Sequence, residues 1–207
     1  MPGKAEATIA FLAAATLGAA ARTAASVPAP IPPALRPVIR ATADLYWFDI
    51  VARNGGRWRY DGRWCVPTGY RLFGEGRFLG ISSRGGELCG YTVLDRDGPA
   101  DAYEMLTGAP PVFSPDRRRF VTAAIVGRSD VDGVSLWEVR PHETIRRFFP
   151  ASLTGAGVKV ESWVGSACVV LSAVGPSGER RRFELRAGSR VVLHPARDRR
   201  PCAPERK

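Results

Sequence analysis

The sequence predicts an all-β chain, an antiparallel meander that follows an N-terminal signal helix. Three features carry that expectation. Short runs rich in β-branched and aromatic residues recur from Tyr46 to Leu193. Asn-Gly, Asp-Gly and Gly-Gly pairs punctuate them at Asn54-Gly55-Gly56, Asp61-Gly62, Arg84-Gly85-Gly86 and Asp97-Gly98. The connections are short, which favours antiparallel neighbours over crossover helices.

The N-terminus has the three parts of an export signal. Lys4 carries a positive charge, residues 7–21 are apolar and rich in Ala, and small residues follow at Ala19, Ala20 and Ala21. The apolar run is short for a membrane span, and small residues permit cleavage after Ala21 or Ala25. Residues 1–25 are therefore expected to be a signal peptide, with no transmembrane segment in the mature chain. Residues 26–38 form a proline-rich linker, because Pro28, Pro30, Pro32, Pro33 and Pro37 disfavour regular helix and inner strand. Residues 39–195 are one β-rich domain, and 196–207 a basic C-terminal tail.

Within the domain, residues 39–49 could start a short helix, but Tyr46, Trp47, Phe48, Ile50 and Val51 favour a buried strand. Asn54-Gly55-Gly56 then turns the chain. Asp61-Gly62 reads as a second hairpin-like turn, between Arg57–Tyr60 and Arg63–Val66. Strands follow at Phe78–Ser82, Cys89–Leu94 and Ala102–Leu106, with a turn over Asp95–Gly98. Phe120–Val126 and Val134–Val139 flank a turn at Asp130–Gly133. Ala167–Val174 leads into Glu179–Arg186, where Arg180, Arg182, Glu184 and Arg186 face one way and Arg181, Phe183 and Leu185 the other. A last strand covers Arg190–Leu193.

The stretch Pro111-Val112-Phe113-Ser114-Pro115-Asp116, continued by Phe120-Val121-Thr122-Ala123 and closed by Val134-Ser135-Leu136-Trp137-Glu138-Val139, resembles one blade of WD-repeat and TolB-like β-propellers. Arg117 stands where such blades usually carry Gly, and the Gly-His element of WD repeats is absent. The resemblance implies that Phe113, Phe120 and Trp137 pack between blades. It extends the fold expectation to an antiparallel meander of propeller-like blades, a small or incomplete propeller. Gly90–Gly108 matches the end of one blade and Gly157–Leu193 a degenerate one, with the hairpins of 46–66 available as another. Such scaffolds host many unrelated activities, so the likeness says nothing of function.

Cys65, Cys89, Cys168 and Cys202 are an even set in an exported chain, and none falls in a Cys-x-x-Cys pair. Two disulfides are expected; pairing Cys65 with Cys89 and Cys168 with Cys202 keeps both loops local. The formal charge of +10 is almost all arginine, since the lysines are Lys4, Lys159 and Lys207 alone. The arginines are spread along the chain without stacking aromatics, so no specific nucleic acid is expected as partner. Outside the cytoplasm such a chain meets anionic lipid or cell-wall polymer instead.

The search for chemistry yields little. His142 and His194 are the only histidines, and no Gly-x-Ser-x-Gly elbow accompanies them. A small hydrolase would pair one of them with a carboxylate such as Asp116 or Glu143. Asp95, Asp97 and Asp101, with Glu104 nearby, alternate before Gly98 as calcium ligands do, although Asp-Gly is also ordinary chemistry for a hairpin tip. No cofactor other than calcium is expected. The sequence thus points to a periplasmic or secreted, non-catalytic scaffold that binds a protein or cell-envelope polymer, with a small hydrolase or a purely structural envelope protein as rivals.

Overall fold

A computed structural model describes residues 27–44, 46–85, 89–98, 104–124, 133–148, 157–175, 178–188, 190–196 and 202. The expected signal peptide, Asp101, the turn at Asp130–Asp132 and most of the tail lie outside them.

Alternating apolar residues and tight turns give four small antiparallel sheets, each a meander with strands side by side in chain order. The first holds β1 (Ile39–Ala41), β2 (Trp47–Val51) and β3 (Arg57–Asp61). The second holds β4 (Cys65–Phe73), β5 (Phe78–Gly85), β6 (Tyr91–Asp95) and β7 (Glu104–Leu106). The third comprises β8 (Val112–Phe113), β9 (Arg119–Ala124), β10 (Gly133–Val139) and β11 (Thr144–Phe148). The fourth comprises β12 (Gly157–Val164), β13 (Cys168–Val174), β14 (Arg180–Ala187) and β15 (Val191–Pro195). The described residues form no closed barrel or propeller.

Three apolar cores lie between successive sheets. The first joins Phe48, Ile50 and Tyr60 to Leu79, Ile81 and Leu94. A second joins Phe78, Tyr91 and Val93 to Phe120 and Trp137, and a third joins Val121, Val134 and Leu136 to Val169, Leu171 and Leu185. Consecutive residues such as Phe78 and Leu79, or Phe120 and Val121, enter different cores because side chains alternate across a strand. The second and third sheets are thus buried on both faces, and each such side chain contributes roughly 1.5–3 kcal/mol. Phe113, Phe120 and Trp137 pack against the second sheet as expected, the Phe120 and Trp137 rings stacked with centroids 5.7 Å apart.

One turn departs from the sequence expectation. Asp61-Gly62 does not close a hairpin: β3 and β4 belong to different sheets, so this turn carries the chain from the first sheet to the second. Of the two readings of residues 39–49, the strand holds, since β1 and β2 pair there with Ile39 opposite Ile50. The only helix among the described residues is a short 3-10 turn, Pro33–Leu35, where a proline at the start fits the fixed φ. The proline-rich stretch packs onto the first two sheets. Leu35 and Val38 join the first core, Ala29 N–H donates to Pro67 O at 2.8 Å, and the Tyr70 hydroxyl donates to Ala29 O. Burial, reinforced by the neighbouring Tyr60, pushes the Tyr70 hydroxyl up to about 12.

Both disulfides link the expected partners, Cys65 with Cys89 and Cys168 with Cys202, with Cα atoms 5.2 and 5.9 Å apart. No helix among the described residues is long and apolar enough to cross a membrane.

Gly80 sits where a double-faced sheet needs it. A Cβ there would overlap the Tyr91 hydroxyl and come within 2.6 Å of Tyr91 Cζ and 2.8 Å of Phe73 Cε1. Gly80→Ala is expected to lower stability by about 1–3 kcal/mol, measured by urea unfolding, as overpacking does. Adding Tyr91→Phe should restore only part of the loss, because the ring carbon remains too close.

Candidate functional site

The meander brings the β2–β3, β4–β5, β6–β7, β8–β9, β10–β11 and β12–β13 turns to one end of the sheets. The reason is local: successive hairpins alternate ends, so every second turn of a four-stranded unit falls at the same end. Charged side chains tie these turns together. At the centre lies the buried pair Arg77–Asp95, with side chains 11% and 1% exposed. Arg77 donates from Nε to Asp95 Oδ1 at 2.8 Å and from Nη2 to Oδ2 at 2.7 Å. The two-pronged fit of guanidinium and carboxylate is the strong geometry for such a pair.

The pair has further partners that explain how two charges stay out of water. Thr144 Oγ1 donates to Asp95 Oδ2 at 2.7 Å, Asp97 N–H donates to Asp95 Oδ1, and Arg77 Nη2 also donates to Glu143 O. Asp95 therefore fastens the second sheet to β11 of the third. Arg96 does the same toward the first sheet, donating to Val51 O at 2.7 Å and to Gly76 O. Burial and the adjacent Arg53 charge hold the Arg96 guanidinium below its usual value. Arg53 closes the set with an ion pair to Asp97 at 3.0 Å.

Farther along the same end, Arg117 Nη1 donates to Glu75 Oε1 at 2.6 Å, and Arg119 Nη1 donates to Ser166 O at 3.0 Å. Asp116 accepts from Ser114 Oγ at 2.7 Å, and this bond, with lesser help from Arg118 N–H and Ser166, holds its carboxyl below the usual range. Arg117 has φ +56°, the left-handed conformation that Gly adopts without strain.

An open cleft of about 570 Å³ lies at this end, lined by Asn54, Asp97, Gly98, Arg140, Pro141, His142 and Glu143. A contiguous space of about 310 Å³ adds Arg53. Arg140 is held by Glu138 at 3.2 Å and Glu143 at 3.0 Å. Three sheets contribute one turn each, so the cleft exists only in the assembled fold.

The structure thus brings together in one cleft three residues singled out from the sequence, Asp97 from the calcium reading and His142 and Glu143 from the hydrolase reading. Asp95 lies beneath the cleft, with both oxygens engaged by Arg77, Thr144 and Asp97 N–H. With Arg53, Arg77, Arg96 and Arg140 all at this end, the local charge around Asp95 and Asp97 is far from that of a bare aspartate loop. His194 is elsewhere, exposed on β15 opposite Glu184. Cys168 and Cys202 lie close to Glu184, yet both sulfurs are committed to a disulfide. Among the described residues the lining includes no serine, threonine or cysteine. Arg53, Arg77, Arg96 and Arg140 are the residues of this end that the sequence conceals, since an arginine in an arginine-rich chain carries no local signal of its partner.

No protein-family model, curated protein or solved structure matches this chain.

Proposed function

We propose that this chain is an exported, non-catalytic scaffold of propeller-like blades that binds a protein or cell-envelope polymer at its loop end. One observation carries the reading: turns from three consecutive sheets are pinned by buried arginines around an open cleft whose described lining offers ionic and amide groups. Such rigid support is what a binding surface needs, because groups held in place lose little freedom when a ligand arrives. Two disulfides fit an oxidising compartment.

The test compares the exported protein with an Arg53→Ala/Arg140→Ala variant in covalent capture from envelope fractions. A captured component that wild type retains and the equally stable variant loses by tenfold or more is the expected result. Equal capture by both proteins would overturn the cleft as the binding site. The hydrolase alternative rests on His142 standing in one cleft with Asp97 and Glu143. Turnover of ester or glycoside substrates, lost on His142→Gln, would replace the non-catalytic reading.

A further inference from the structure

Away from the loop end, the fourth sheet turns one face to the third core and the other to solvent. On β14 the core side carries Phe183, Leu185 and Ala187, and the outer side carries Arg180, Arg182, Glu184 and Arg186. From this face we propose a second binding surface, one that takes a linear phosphodiester polymer of the cell envelope.

The argument begins with spacing. Same-face residues on a strand lie about 6.7 Å apart, so Arg180 and Arg182 present guanidinium groups at a regular interval along one line. Lys159 on β12, two strands away, is exposed and adds a second row. Beneath them Val170 and Ser172 are buried, 1% and 8% exposed, although they sit on the outward side of β13. Cys202, bonded to Cys168 and close to Glu184 opposite Val170, lies over one end of this strand.

Charge decides the partner's sign. The acids on this face are already engaged within the protein. Glu161 takes Arg182 Nη2 at 2.5 Å, and Glu184, only 2% exposed, takes Arg186 Nη2 at 2.8 Å. The hydrogen bond from Arg182 keeps the Glu161 carboxyl below its usual range, with Ser172 and Arg180 adding to the effect. Lys159 and Arg180 give the face its net positive charge. Cys202 is bonded to Cys168 on the outward side of β13, which places Cys202 beside this face. The site itself is the strand surface.

Shape and composition decide the partner's class. The outward side of β12–β15 carries no Phe, Tyr or Trp, so it offers no broad platform on which successive bases could stack, as single-stranded nucleic acid requires. Its exposed apolar residues are the small side chains Val164, Val174 and Val192, too short to enter a bilayer as an anchor. The exposed Arg180 and Lys159 heads, beside the glutamate-bound guanidinium groups of Arg182 and Arg186, fit repeated phosphates joined by flexible spacers, with Arg180 able to make a two-pronged contact.

The test is titration of the purified exported protein with synthetic poly(glycerol phosphate) over a range of salt. Binding is expected to weaken linearly in log–log form as salt rises, by counterion release. Lys159→Gln and Arg180→Gln alter exposed residues with no part in the cores or the cleft. Each should lower affinity roughly fivefold at about 0.1 M salt, with unchanged thermal unfolding. The Arg53→Ala/Arg140→Ala cleft variant should bind the polymer as wild type does, which separates this proposal from the one above. Equal polymer binding by the Lys159 and Arg180 variants would overturn it. So would tighter binding to phosphatidylglycerol vesicles or to single-stranded DNA than to the polymer.

Discussion

Removing both disulfides is expected to leave the chain largely unfolded at ordinary temperature. Each bridge closes a loop, with sequence separations of 24 and 34 residues. In the chain-entropy account a loop of that length stabilises by about 3.5 kcal/mol, so the two together contribute about 7 kcal/mol. Domains of this size have roughly 5–15 kcal/mol in hand. Urea unfolding followed by tryptophan fluorescence, with and without reductant, measures the loss. The bridges should also differ in character. Cys65–Cys89 ties the start of β4 to the segment just before β6. Cys168–Cys202 holds Cys202 to the outward side of β13. Losing the latter alone should spare the first two cores and be felt mainly in the fourth sheet, as hydrogen exchange would report. A combined loss below about 1 kcal/mol would contradict the account.

Asp95→Ala is expected to cost about 3–5 kcal/mol, the range for breaking a buried ion pair on one side. Asp95 is 1% exposed and accepts from Arg77, Thr144 and Asp97 N–H. Without it the buried Arg77 guanidinium keeps only the more distant Asp97 carboxylate, 3.7 Å away, as counter-charge, and two further donors lose their acceptor. The companion change separates that penalty from the worth of the pair. Arg77→Met combined with Asp95→Leu removes both charges and should recover much of the stability, because desolvation of the ions is removed with them. The cleft supplies a second readout. Arg77 Nη2 also holds Glu143 O, so Asp95→Ala should speed amide exchange in residues 140–144 even under conditions where the cores persist. Additive effects of the two single changes in a double-mutant cycle would mean that the pair is not the unit described.

Much of the strand pattern is legible in the residues themselves. The alternation of Arg180–Arg186 places Phe183 and Leu185 on the apolar side, and both pack in the third core. Asn54-Gly55-Gly56 joins β2 to β3 as its turn chemistry suggests. Short pieces leave no such mark. β8 has two residues, and β11, Thr144–Phe148, carries Arg146 and Arg147 in its middle, so neither shows a run of apolar residues. The long edge strand β4 is obscured by Pro67 and Gly69, which sit at a register shift where an edge strand tolerates them. The site is legible only in fragments. Asp97 and His142 each stand out as residue types, but nothing local links positions so far apart.

All-β character and most of the turns are written into the chain locally. They follow from side-chain alternation and turn conformations, which depend on residues only a few positions apart. The division of the strands into four sheets is a product of long-range packing, and so is the passage of Asp61-Gly62 between sheets instead of around a hairpin. The same packing makes Arg77 and Asp95 one buried pair bound to Thr144 and lets three separate turns share a cleft. A strand's two faces look alike in sequence when both are buried. Which sheet each face meets is settled only when the layers assemble, and the charged groups then find partners according to where that packing leaves them.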